Sequence, residues 1–304
     1  MNNDQPQHSQ DFTNSIPDKE EIWNILKSMK KNASPGPDGF NVGFYLSAWN
    51  WIGEDVTNLV KTFYNTGIMP SHLNDTHIAL IPKKLVCNLP SDFRPIRLCN
   101  VIYKIIAKSL ANRLKQHLPD YVHPSQQAFI EGRCIANNII VAQEISHSFS
   151  LSSWESQDFM IKIDLAKAFD RLEWHFIDAA LARKGIHGHF INLVHACIST
   201  PNFSVIINGQ SFGNFKSSRG IRQGCPLSPY LFVLAVNYLS LTLQDALQRG
   251  QLTGISLRPN FPLYILTCSQ TTSFYVARRT SKRLLPNWNK SGILFSKNVA
   301  SQGH

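Results

Sequence analysis

The chain has 304 residues, 30 of them Lys or Arg and 20 Asp or Glu, for a formal net charge of +10, and 43% are hydrophobic. That balance excludes a disordered polymer and is enough for one large or two modest domains. The longest purely apolar run, Tyr230 to Val236, is far below the ~18 residues of a membrane span. The polar opening MNNDQPQHSQ has no basic-then-apolar leader, which argues against secretion and for a protein that stays inside the cell. Six scattered cysteines without a Cys-x-x-Cys pair support neither a disulfide framework nor a zinc site. A basic chain of this kind suits a polyanionic partner.

Residues 1–15 read as a disordered lead-in. Pro17, then Asp18, Glu20 and Glu21, marks a helix start, because carboxylates suit the positive end of the helix dipole. Ile22, Leu26 and Met29 give that helix an apolar face. Ser34-Pro35-Gly36-Pro37-Asp38-Gly39 follows it as a shaped loop. Leu80-Ile81-Pro82 reads as a short strand running into Lys83 and Lys84. A helix over 98–117 carries Ile102, Ile106, Leu110 and Leu114 on one side and Lys104, Lys108, Arg113 and Lys115 on the other. Residues 80–115 hold eight Lys or Arg and one acid, Asp92. Phe159 to Leu165 alternates as a strand, with Asp164 near its end. A helix is expected from about Asp170 to Lys184, then a hairpin over Phe203 to Asn208 with an Asn208-Gly209 turn. A second long helix starts at Ser228 and Pro229.

A carboxylate at the end of an apolar strand sits on a rigid support and could place a hard cation for phosphoryl transfer. Taken alone, such a residue is more often a solvated strand end. The surrounding sequence decides between the two. Ile163-Asp164-Leu165-Ala166-Lys167-Ala168-Phe169-Asp170 resembles the first carboxylate motif of reverse transcriptases from non-LTR (LINE-type) retrotransposons, in a wording most like the plant elements. The 34–39 loop, Asp92-Phe93-Arg94-Pro95-Ile96, Gln126-Gln127-Ala128-Phe129-Ile130 and Arg222-Gln223-Gly224-Cys225-Pro226-Leu227-Ser228-Pro229 resemble the family's other blocks. They stand in the family's order and together cover roughly residues 18–257.

The resemblance implies an α+β fold: a right-hand polymerase with fingers over residues 16–155 and a ferredoxin-like βαββαβ palm over residues 156–257. It implies RNA-directed DNA synthesis on an RNA template from a DNA primer, with dNTP as substrate. Asp164 and the backbone carbonyl of Leu165 would hold Mg²⁺, two ions ~4 Å apart serving the primer 3′-hydroxyl and the leaving pyrophosphate. Phe169 would lie beneath the sugar and exclude a 2′-hydroxyl, although a Phe at such a junction is on its own a core residue. Gln223 and Gly224 would pack against the incoming nucleotide, the glycine admitting close backbone approach; a plain hairpin-to-helix turn would use them equally well. Lys83 and Arg94 would reach the triphosphate, where solvated surface charges are the ordinary alternative. Asp170 is expected to serve the following helix N-terminus rather than the chemistry.

The family's second carboxylate motif, aromatic-Ala-Asp-Asp, is missing. Pro262-Leu263-Tyr264-Ile265-Leu266-Thr267-Cys268 stands where it belongs, and no Asp or Glu follows Asp245. Asn287 to Asn298 resembles the family again. Residues 258–286 therefore read as an aberrant segment from a frameshift, deletion or mis-splicing, and residues 287–304 as a remnant of the post-palm segment. One carboxylate cannot neutralise two Mg²⁺, so the domain is expected to be a reverse transcriptase by descent and inactive as written. The alternatives are a noncatalytic remnant that binds RNA or RNA–DNA hybrid with steep salt dependence, and a globular chain with no present function. Hydrolase chemistry lacks its signatures: there is no G-x-S-x-G, H-E-x-x-H or P-loop. Residues 1–245 hold 22 basic and 20 acidic residues, and the last 59 hold eight basic and none acidic. The case for a nucleic-acid partner thus rests on the cluster at 80–115, not on bulk charge.

Overall fold

The computed structural model describes residues 15–151, 158–164, 167–251, 265–268, 272–278 and 294–295. The lead-in at 1–14, Leu165, and most of the segments 258–286 and 287–304 lie outside the described residues. The chain is a mixed α/β protein in two compact units, one from Met1–Gln116 and Phe169–Leu231, the other from His117–Ala168 and Phe232–His304.

In the first unit, α1 (Lys19–Lys27) starts where the charges demand. The Asp18 carboxylate accepts the Glu21 backbone N–H at 2.7 Å, and Glu20 and Glu21 fill the first turn. Ile22, Ile25 and Leu26 are its buried face. The Asn41 side chain caps α2 (Val42–Thr66), which ends at Gly67 in the left-handed region, φ 68°. The loop between them is pinned by buried Asn100. Its Oδ1 accepts from the Asp38 N–H at 3.2 Å, while its Nδ2 donates to the carbonyls of His72 and Leu73, each at 3.1 Å. A Cβ on Gly36 would fall 2.3 Å from the Asn100 backbone nitrogen, so this position admits only glycine.

β1 (Thr76–Pro82) pairs antiparallel with β2 (Phe93–Cys99) and parallel with β4 (Asn202–Ile207). β4 turns through Asn208 (φ 50°) and Gly209 (φ 80°) into β5 (Gln210–Lys216), giving the sheet order β2-β1-β4-β5. The hairpin expected in one βαββαβ sheet with the Phe159 strand therefore belongs elsewhere. The second edge of β1 is open to it, and the register Thr76↔Phe203 and Ile78↔Val205 puts Ile78, Phe203 and Val205 on the same face as Thr76.

The continuous helix expected from Asp170 to Lys184 is broken into α5 (Ala168–Arg171) and α6 (Trp174–Arg183). The cause is competition for its carbonyls: Ile221 N–H donates to Phe169 O and Gly220 N–H to Leu172 O, each at 2.8 Å. Trp174 Nε1 closes the junction on the Gly220 carbonyl, also at 2.8 Å. α7 (Gly188–Ser199) then leads to β4. α3 (Val101–Tyr121) contributes fully buried Tyr103, Ile105, Ile106 and Leu110.

The second unit holds α4 (Ile135–Leu151), most of α8 (Ser228–Gln248) and a separate sheet. β3 (Asp158–Asp164) pairs antiparallel with β7 (Thr272–Arg278) over its whole length. β6 (Ile265–Cys268) flanks β7 and β8 (Leu294–Phe295) flanks β3, in the order β6-β7-β3-β8. The Arg133 guanidinium donates to the carbonyls of Pro119, Val122, His123 and Gln126 at 2.8–3.2 Å, satisfying the C-terminal end of α3. α8 is long and apolar enough, by length and composition, to cross a bilayer; its Phe232, Val233, Leu234 and Val236 are buried within the protein.

Replacing Gly36 by Ala should destabilise the protein by about 1–3 kcal/mol, because backbone rather than a movable side chain stands in the way. Urea unfolding followed by circular dichroism checks this. Gly39→Ala, where nothing lies within 4 Å, should lose only the left-handed penalty of about 1 kcal/mol.

Candidate functional site

Among the described residues the first unit buries two arginines, Arg113 paired with Glu21 and Arg222 without a carboxylate partner, and the site is built on the second. Arg222 is 4% exposed and lies in the loop that leads into α8. Its Nη1 donates to Asn74 Oδ1 at 2.6 Å, Thr76 Oγ1 at 3.0 Å and Cys99 Sγ at 3.7 Å, and its Nη2 donates to the Cys197 carbonyl at 2.9 Å. The guanidinium carbon sits 3.8 Å from the centroid of the Tyr103 ring. Burial pushes the Tyr103 phenol and the Cys197 thiol well above their ordinary values, so both stay neutral. The cation is thus held by neutral acceptors and a π-face, with no carboxylate among these partners.

This cage fixes the next two residues. Gly224 takes φ 91°, and a Cβ there would lie 3.9 Å from the Arg97 carbonyl. Gln223 is exposed at the turn. Phe169 is buried at the start of α5, and its carbonyl is the acceptor for Ile221, so Phe169 and the 220–224 turn are brought together. Asp170 lies in the first turn of α5, as expected of a helix N-terminal acid, and it also makes an ion pair. It accepts Arg97 Nη2 at 2.9 Å, while Arg97 Nη1 reaches the Ile221 carbonyl at 3.4 Å and the guanidinium lies 5.8 Å from the Phe203 ring centroid. A cleft of about 440 Å³ opens here, lined by Arg97, Asp170, Phe203, Lys216, Arg219 and Arg222 among others.

Lys83 and Arg94 stand on the β1–β2 ribbon. Lys83 Nζ donates to the Ser91 carbonyl at 2.8 Å. Lys84 beside it pairs with Asp92 at 2.9 Å, and that hydrogen-bonded ammonium holds the Asp92 carboxyl below its usual range. Arg94 is exposed, with no side-chain partner among the described residues.

Asp164 closes β3 in the second unit. Its Cα partners are Thr272 on β7 and Leu294 on β8. The other acid of β3, Asp158, is at the opposite end beside Arg278, and β6, β7 and β8 carry no Asp or Glu. Among the described residues no group of three or more His, Cys, Asp or Glu could hold a metal ion. The candidate residues therefore divide: Lys83, Arg94, Phe169, Gln223 and Gly224 lie in the first unit and Asp164 in the second. Sequence reading missed Arg97 and the buried role of Arg222. The available signal was that Cys99, Cys197 and Cys225, scattered in sequence, are residue types that favour the interior.

Residues 81–276 match the family described as "Reverse transcriptase (RNA-dependent DNA polymerase)", a match that runs through β6 and into β7. The "Transposon TX1 uncharacterized 149 kDa protein" of Xenopus laevis is 30% identical over 79% of this chain and 18% of that protein. The "Retrovirus-related Pol polyprotein from type-2 retrotransposable element R2DM" of Drosophila melanogaster is 28% identical over 74% of this chain and 21% of that protein. The chain spans about a fifth of the length of these two relatives. Among solved structures, apo telomerase from Candida tropicalis truncated from its C-terminal domain aligns with TM-score 0.45 and 15% identity, over 79% of this chain and 50% of that one.

Arg222→Lys keeps the charge but loses the forked donors and the ring contact. It should lower the unfolding free energy by about 2–3 kcal/mol, visible as a drop of several degrees in Tm. Arg97→Lys, at a partly exposed pair, should cost about 1 kcal/mol or less in the same measurement.

Proposed function

The chain belongs to the reverse transcriptase (RNA-dependent DNA polymerase) family, and from that premise we propose that it is the fingers-and-palm portion of a LINE-type retrotransposon polymerase that no longer performs nucleotidyl transfer. It works inside the cell, where its templates are. The observation that carries the loss is the β3–β7 register: Thr272 stands directly opposite Asp164, on a sheet whose other three strands carry no acid. Magnesium would supply activation of the primer hydroxyl and charge neutralisation at the leaving group. One carboxylate cannot bridge and neutralise two divalent ions, so the residues present do not fit a two-magnesium site.

The remaining machinery is binding machinery. Arg94, without a side-chain partner among the described residues, offers a guanidinium fork to triphosphate oxygens, and Lys83 a point charge beside it. Phe169, held by its carbonyl to the 220–224 turn, is the ring that excludes a 2′-hydroxyl, and Gln223 and Gly224 form the wall against the incoming nucleotide. Of the eight cations over 80–115, Lys84, Arg97 and Arg113 are paired with Asp92, Asp170 and Glu21; exposed Lys83 and Arg94 favour a second activity for the same chain, binding of RNA or RNA–DNA hybrid without synthesis.

Purified protein given an RNA template, a DNA primer, dNTP and Mg²⁺ should extend nothing. Extension that disappears in Asp164→Ala would overturn the proposal. Conversely, Thr272→Asp sets two carboxylates on directly opposed residues, with Cβ atoms about 5 Å apart. Calorimetry should then detect Mn²⁺ binding that the unsubstituted chain lacks.

A further inference from the structure

The β4–β5 hairpin carries a surface that the polymerase reading leaves unused. In a regular strand Phe212 and Phe215, three residues apart, face opposite sides. Here Phe212 stands opposite Val205 and Phe215 opposite Phe203, so Gly213 and Asn214 together oppose the single residue between them, Ser204. Gly213 takes φ 72°, the backbone of a glycine-led bulge. The extra residue brings both rings to the Phe203 side of the sheet, and Phe215 stacks on buried Phe203 with centroids 5.8 Å apart. The outer surfaces remain open: Phe212 is 48% exposed and Phe215 46%.

The surroundings are cationic. From Pro201 to Arg222 there is no Asp or Glu. Lys216 ends β5 without a side-chain partner among the described residues, and Arg219 follows, tied to exposed Glu173 at 3.2 Å. The nearest cleft carboxylate, Asp170, is occupied by Arg97.

We propose that this face is a stacking platform for single-stranded nucleic acid, Phe212 and Phe215 each taking one base and Lys216 and Arg219 the phosphates. Two same-face positions along a strand are about 7 Å apart, room for two unstacked bases. Every base has a π-face, so the platform is indifferent to sequence. The hairpin segment 201–222, free of acids and with Lys216 uncommitted among the described residues, selects a polyanion over an apolar protein segment, and the bulge blunts the backbone edge that a pairing strand would need. The inference rests on the nucleic-acid-binding reading above, but it concerns a different surface from the 80–115 cluster.

Fluorescence anisotropy of the full chain with a labelled single-stranded RNA tests it. Phe212→Leu/Phe215→Leu keeps apolar bulk and removes the rings, and should weaken binding about tenfold while leaving the salt dependence unchanged. Phe→Trp at both positions should restore affinity. Lys216→Ala/Arg219→Ala should instead flatten the slope of log K against log salt, by about 0.7 for each phosphate no longer neutralised. If the Leu variant binds as tightly as the unsubstituted chain, the platform is refuted and general RNA binding stands. If the unsubstituted chain binds no RNA at low salt, the binding reading falls and the platform with it. A Leu variant that binds RNA normally but sediments as a smaller species would assign the face to a protein interface, and would also refute the platform.

Discussion

A guanidinium placed inside a protein without an anion is a demanding object, because each of its donors must find an acceptor or the burial is lost. Both terminal nitrogens of Arg222 find acceptors, and its face finds a ring, in groups drawn from β1, β2, α3, α7 and the segment before β1. The buried amide of Asn74 extends the same logic: its oxygen accepts from Arg222, while its nitrogen donates to the Cys197 carbonyl at 3.1 Å and to Thr200 Oγ1 at 2.8 Å. The exposed turn that follows, Gln223 and Gly224, stands between this interior cation and Cys225, whose N–H donates to the Arg222 carbonyl at 3.4 Å, while Ile221 ahead of it is held to the Phe169 carbonyl.

What could be read from the sequence was local. Asp18 ahead of α1, the Pro and Gly of the 34–39 loop, the alternation of β3 and the Asn208-Gly209 turn each depend on neighbours a few residues away. The partner of the β4–β5 hairpin could not be read, because alternation says which face a strand buries and not which strand it joins. The break between α5 and α6 was hidden for a related reason: the groups that take its carbonyls, Gly220 and Ile221, arrive from about fifty residues later. Motif wording singled out Lys83, Arg94, Phe169 and the 222–224 turn. It could not locate Arg97 as the partner of Asp170, nor a cage whose members sit at 74, 76, 99, 103 and 197 and form no pattern.

The second sheet separates two things that sequence resemblance tends to merge. β7 pairs with β3 at every one of its seven positions, although it brings no Asp or Glu to the strand that ends in Asp164. Ladder hydrogen bonds are made by the backbone and tolerate almost any side chain. Metal chemistry tolerates very little, since it needs oxygen donors at specified places. A strand can therefore complete a sheet whatever its side chains offer to a metal ion.

The first unit is also discontinuous in the chain, and this shapes how it comes into being. β1 is complete at Pro82, yet its parallel neighbour β4 begins only at Asn202, and Arg222 comes later still. At a synthesis rate of about 5–20 residues per second, the roughly 120 intervening residues take on the order of 10 s. Through that interval the nascent β1–β2 ribbon keeps one edge unpaired, with Leu80, Ile81 and Ile96 uncovered even in the finished fold. Long-range parallel pairing is slow for the same entropic reason. The ribosome thus exposes an adhesive half-sheet well before it supplies the cation around which that half-sheet closes.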